Sequence, residues 1–116
     1  TPCHAGNVVV STALAIAERE RRSGKEIITA IVIGYDVFTR LALAVHSTPN
    51  GRATFRFQDN AVFGPFAAAA VTARLLGLDQ ERTTSALGLA GGYSGRTREF
   101  RADGCNASTN HFILHV

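Results

Sequence analysis

Residues 25–45 read KEIITAIVIGYDVFTRLALAV. On a helix, Ile27, Ile28, Ile31, Val32, Ile33, Val37, Phe38, Leu41, Leu43 and Val45 point to every side. A helix that is apolar all round has to be buried, in a protein core or in a bilayer. The run has the length for a bilayer. Asp36 and Arg40 interrupt it near the middle, however, and no basic flank orients it. They stand four apart with the acid first, the order in which the two side chains pair on one helix face. The expectation is therefore the central and most buried helix of a soluble bundle. Its start is marked by Ser23-Gly24-Lys25-Glu26, which fits the reciprocal S-x-x-E cap. Gly34 lies where a neighbouring helix can approach closely.

The remaining punctuation is also helical. Val10, Ala13, Leu14 and Ala17 recur at helical spacing within residues 5–22, with Ser11, Glu18 and Arg22 on another face. The mixed charges of ERERR (18–22) read as a solvated helix end. Residues 46–60, HSTPNGRATFRFQDN, are turn-rich, and Pro49-Asn50-Gly51 is a strong turn signal. A third helix is expected to begin between Asn60 and Pro65, with Pro65 near its start, and to stop at Gly77. Asp79 caps a fourth helix over about residues 80–90, ended by Gly91-Gly92. A short helix or turn is expected over 93–100, a loop over 101–110, and a further helix from HFILHV. No strand pattern, repeat or low-complexity tract stands out. The expected class is all-α, a helical bundle, with residues 1–116 forming a single helical domain fragment.

Composition narrows the function classes. Apolar residues make up 46% of the 116 residues and charged residues 18%, a globular balance. The net charge of +3 is modest, Lys25 is the sole lysine, and the arginines are dispersed. That argues against nucleic acid, whose binders cluster Lys and Arg. Cys3 and Cys105 do not make a disulfide framework, which favours a reducing cytoplasm. The chain opens on Thr1 with no charged-then-apolar leader, as expected of a processed piece or one cut from a longer protein.

The stretch RFQDNAVFGPFAAAA (56–70) sets Arg, Gln, Asp and Asn ahead of a helix built from the smallest residues. A helix N-terminus presents free N–H groups that favour anions. The loop before it is therefore expected to bring polar donors to an anion at its mouth, while Ala67–Ala70 let the helix pack tightly on the second one. His111 and His115, four apart, can face one metal ion with Cys105, Cys3 or His4, but this spacing matches no known zinc knuckle. The expectation is that no metal is bound. GLAGG follows a helix rather than a strand, so it is not a phosphate loop.

Several stretches, taken in register, resemble the MmgE/PrpD family of 2-methylcitrate dehydratases and cis-aconitate decarboxylases. They are CHAGNVVVSTALAIAE (3–18), SGKEIITAIVIGYDV (23–37), AVFGPFAAAAVTARLLGLD (61–79), ALGLAGG (86–92) and EFRADG (99–104). The resemblance implies an internal piece of the family's helical domain. The upstream acidic segment, which holds a catalytic-site aspartate in the family, and the second, α/β domain are both absent from this sequence. It further implies a cytoplasmic homodimer that works on small carboxylic acids without metal or cofactor. The reactions are loss of water, decarboxylation or epimerisation, with dehydration of a 2-methylcitrate-like acid preferred. No nucleic acid or membrane partner is expected.

The carry-over of residues is specific. His4-Ala5-Gly6 takes the place of a family His-Pro-Gly, which makes His4 an acid/base or carboxylate ligand. On the residues alone, a histidine at a helix entrance is more often a donor to a backbone carbonyl; the family match brings the two readings level. Asp103, Gly104 and His111 match a second motif, with Ser108 and Thr109 where the family has lysine and arginine. Gln58 stands at a family histidine position. The resulting candidates are His4 and His111 for proton transfer, and Gln58, Arg56, Ser108 and Asp103 for substrate binding. Arg52 belongs to the same loop as Arg56, and Arg96, Arg98 and Arg101 form a second arginine cluster. A catalytically degenerate member, or a helical interaction or oligomerisation domain, is the competing reading.

Overall fold

The computed structural model describes residues 4–48, 50 and 57–95. Four helices follow one another: α1 (Gly6–Glu20), α2 (Gly24–His46), α3 (Asp59–Leu76) and α4 (Gln80–Gly92). No strand occurs among the described residues, and the chain is all-α. α3 packs against each of the other three helices, and α1 also packs on α2.

The helix ends follow local chemistry. Ser23 Oγ accepts the Glu26 N–H, and the Glu26 carboxylate accepts the Ser23 N–H at 2.9 Å, which closes the expected reciprocal cap. Asp79 accepts the Arg82 N–H at 2.8 Å and caps α4. α3 ends at Gly77, whose φ of 69° is left-handed backbone that glycine adopts without steric cost. The Leu78 N–H then reaches back to the Ala73 carbonyl at 3.0 Å. α1 ends in the same way on Arg21, within the ERERR run. Arg40 pairs with Asp36 at 2.7 Å on an exposed face of α2.

The core lies between α1, α2 and α3, around Val9, Ala13, Ala30, Phe38, Phe63, Ala67, Val71 and Leu75. The Phe38 and Phe63 rings meet edge to face, 5.7 Å apart. Gly34 is the closest approach. A Cβ there would stand 2.6 Å from Val71 Cγ2 and 2.9 Å from Val9 Cγ1, so hydrogen at this position lets three helices converge.

Two expectations need correction. α2 is not the most buried helix; α3 is. α2 buries only Ala30, Gly34, Phe38 and Ala42, while Ile28 and Val32 are 65% and 62% exposed. Small residues explain the exchange. Gly64 and the alanines of α3 admit neighbours on several sides, whereas the branched side chains of α2 have neighbours on one side only. By length and composition α2 would also suffice to cross a membrane: it has 23 residues, and an 18-residue window within it reaches a mean hydropathy of 1.7.

The second correction concerns Pro65, which lies inside α3 and not in its first turn. Proline has no N–H, so the Ala61 carbonyl loses its donor within the helix. The Gly95 N–H takes that place at 3.1 Å. Beside it, Ser94 Oγ donates to the Val62 carbonyl at 2.9 Å. The helix therefore tolerates its proline by accepting hydrogen bonds from the chain that follows α4.

A candidate active site at the mouth of α3

The start of α3 differs from that of α2 and α4. Its N-cap is Gln58, whose extended backbone (φ −78°, ψ 120°) turns into the helix but whose side chain makes no capping bond. Gln58, Asp59 and Asn60 are nonetheless buried, each 5–7% exposed. Polar groups are taken out of water at a cost of a few kcal/mol unless they find partners (~1–3 kcal/mol).

Two of the three have partners distant in sequence. Asn60 Nδ2 donates to the backbone carbonyl of His4 at 3.2 Å. Asp59 Oδ1 lies 3.3 Å from His46 Nε2, and the two side chains are only 9% and 6% exposed. His46 is the last residue of α2 and Asp59 the first of α3, so the pair faces across the joint between the two helices. The Phe63 ring, one turn along α3, meets the imidazole edge to face at 6.1 Å. The mouth of α3 thus combines a helix N-terminus, a buried carboxamide, and a buried imidazole beside a carboxylate.

Among the sequence-derived candidates, His4 and Gln58 come to this one end of the bundle. The His4 side chain is exposed, and its backbone joins the mouth through Asn60. Arg56, Asp103, Ser108 and His111 lie outside the described residues, as do Arg52, Arg96, Arg98 and Arg101. So do Cys3, Cys105 and His115 of the alternative metal set. Among the described residues no group of three His, Cys, Asp or Glu side chains is arranged to hold an ion.

Sequence reasoning missed His46, because it opened a stretch read only as turn-rich. The signal was present. His46 and Asp59 flank the connection that ends one helix and begins the next. A connection between packed helices brings its two ends together.

Residues 1–112 match the family model of the MmgE/PrpD N-terminal domain. Over 96 residues the chain is 30% identical to a cis-aconitate decarboxylase-like protein, oryM, of Aspergillus oryzae. That alignment covers 77% of this chain and 20% of the relative, so the chain spans about a fifth of the relative's length. No solved structure matches the chain. The family is one of dehydratase- and decarboxylase-like enzymes. A helical fold and a domain match that runs almost from end to end agree, and the chain belongs to the MmgE/PrpD family.

Proposed function

We propose that the protein carrying this chain is a lyase for small di- or tricarboxylic acids, and that the mouth of α3 receives a substrate carboxylate. The observation that carries the reading is the coincidence of the family match with a helix start that buries Gln58, Asp59 and Asn60. The N–H groups of a helix start favour an anion. The Gln58 carboxamide can donate to a carboxylate oxygen. Arg56, Ser108 and Asp103 complete the binding set, and His4 and His111 exchange protons.

Dehydration of a 2-methylcitrate-like acid is the preferred reaction. The name of the Aspergillus relative favours decarboxylation as a second reading. Both make or protonate a carbon next to a carboxylate, which needs an acid or base that works near neutral pH. The same proposal places the protein in the cytoplasm as a homodimer, without metal, cofactor, nucleic acid or membrane. The competing non-catalytic reading, an assembly module, is favoured by the exposed apolar side of α2.

The experiment is an assay of the intact protein on methylcitrate, citrate and cis-aconitate, following alkene absorbance and released carbon dioxide. Turnover of none of them ends the proposal. A finer test uses the departures from the family pattern. With Gln58 and Ser108 in place of histidine and lysine, two charge-assisted bonds of about 1.5–3 kcal/mol each are missing. Methylcitrate turnover is then expected to be slower by about two to four orders of magnitude. A Gln58→His, Ser108→Lys double variant should recover part of that loss. A wild-type protein already fast on methylcitrate refutes the assignment of these two positions.

A further inference from the structure

His4 and Gln58 belong to different elements, and Asn60 joins those elements. Its Nδ2 donates to the His4 carbonyl at 3.2 Å across 56 positions of sequence, and the residue is only 5% exposed. The chain just after His4 is fixed by packing. A Cβ on Gly6 would stand 2.9 Å from the Tyr35 hydroxyl of α2, and one on Gly64 of α3 would stand 3.2 Å from Val8 Cγ2. His4 is exposed, one step outside this packing. α1 receives no capping bond from the side chain of its N-cap, Ala5. The His4 carbonyl instead takes two hydrogen bonds, one from the Asn7 N–H of its own helix at 3.3 Å and one from Asn60. Two donors on one carbonyl set the plane of the His4–Ala5 peptide, and with it the direction in which the His4 side chain leaves the backbone. Burying a carboxamide costs hydration, and a helix start that needs only a cap obtains one within its own turn, as Ser23 and Asp79 show. Asn60 spends its donor on another element.

We infer that Asn60 is the positioning residue for His4: it holds the His4 backbone against the start of α3, so that the imidazole leaves from the same end of the bundle as the Gln58 carboxamide. This rests on the proposed lyase reading, in which His4 exchanges protons and Gln58 receives a substrate carboxylate, and adds to it the residue that joins the two. Asn60 itself touches no reacting atom. Its contribution is orientation, and a displacement of a reacting group by about 1 Å costs about 10²-fold in rate. Without the bond from Asn60, the His4 carbonyl keeps only the Asn7 N–H, at a helix end, and helix ends fray. The imidazole then spends most of its time where proton transfer does not occur.

The test uses the intact protein and whichever acid it turns over. Asn60→Ala should lower kcat by about 10–10²-fold and leave KM within about threefold, because ground-state binding at Gln58 is kept. His4→Gln should lower kcat by about 10²–10⁴-fold, the usual worth of a general acid/base. The two changes combined decide. Asn60 acting through His4 means that Asn60→Ala costs less than about twofold in a His4→Gln background. A role confined to stability lowers kcat in both backgrounds or in neither. A crystal structure of the wild type with tricarballylate, an acid that has no hydroxyl to lose, needs no variant to fold. It should show the His4 ring within hydrogen-bond distance of a bound carboxylate and the Asn60–His4 bond in place. An Asn60→Ala variant that keeps its kcat, a loss that adds in full to that of His4→Gln, or tricarballylate bound out of reach of the His4 ring each overturns this inference and leaves the lyase reading standing. A wild type that turns over no acid overturns both.

Discussion

On the outer side of α2, Ile28, Val32 and Leu43 stand in water, while at the start of α3 Gln58, Asp59 and Asn60 are kept out of it. The same chain thus breaks the ordinary distribution of side chains twice, in opposite directions. Single exposed apolar residues are common on any surface. Ile28, Val32 and Tyr35 instead follow one another along one helix at spacings of a single turn. Buried polar groups without a function are rarer, because each must be matched by a partner. The difference teaches where to look for chemistry. The apolar outer side leaves this unit's own core intact, whereas the polar start of α3 draws in the end of α2 and the segment before α1 to satisfy its groups.

The contrast is broken most severely by Asp59→Ala. It removes the carboxylate from beside a buried imidazole, and loss of one partner of a buried pair costs about 3 kcal/mol. Urea unfolding at neutral pH should register it, and a loss below about 1 kcal/mol would mean that the pair contributes little to the joint.

The inner side of α2 supplies the next test. Gly34→Ala sets a methyl 2.6 Å from Val71 Cγ2. The overpacking is worth about 2 kcal/mol, net of the helix propensity that alanine adds. Thermal unfolding should show a lower Tm, and a rise in Tm would mean that α2 and α3 can separate at little cost.

A smaller effect is expected at the start of α2, where the cap is exposed and purely local. The hydrogen bonds from the Ser23 backbone and hydroxyl, with Arg22 nearby, hold the Glu26 carboxyl below its ordinary value of 4.5. A carboxyl lowered in the folded state stabilises fully above that value, and its contribution is lost as the pH falls through the lower, folded one. Glu26→Gln should therefore flatten the acid limb of the stability–pH curve below about pH 4.5 and change little at pH 7. An unchanged acid limb would remove Glu26 from the account.

The smallest effect is expected on the outer side of α2. Val32→Thr should fall within about 0.5 kcal/mol by urea unfolding, as surface substitutions do. A loss of more than about 1 kcal/mol in the intact protein would show that this side is covered there, and would remove half of the contrast.

What could be read from the sequence was what local chemistry decides. The Ser23–Glu26 cap, the stop at Gly77, the Asp79 cap and the Asp36–Arg40 pair each involve residues within one turn of each other, and each was legible. The burial order was not. A helix that is apolar on every side carries no arrow toward its neighbours, so α2 looked central when the small residues of α3 had already made that place. Pro65 was misplaced for a related reason, since the donor that rescues Ala61 is Gly95, far along the chain. At the candidate site, the family pattern pointed to Gln58, and the start of α3 buries it. The His46–Asp59 contact was not legible, because it forms across a joint between two helices.

The hydrogen bonds around the first turn of α3 have a consequence for how the polypeptide is routed. Asn60 grips the chain just before α1, through the His4 carbonyl. Its neighbour Ala61 grips the chain just after α4, through the Gly95 N–H. Two adjacent residues thus clasp the way in and the way out. Residues 4 and 95 therefore lie side by side at the end of the bundle where α3 begins. A circularly permuted chain that joined residue 95 to residue 4 by a short linker, and opened elsewhere, would have little distance to bridge.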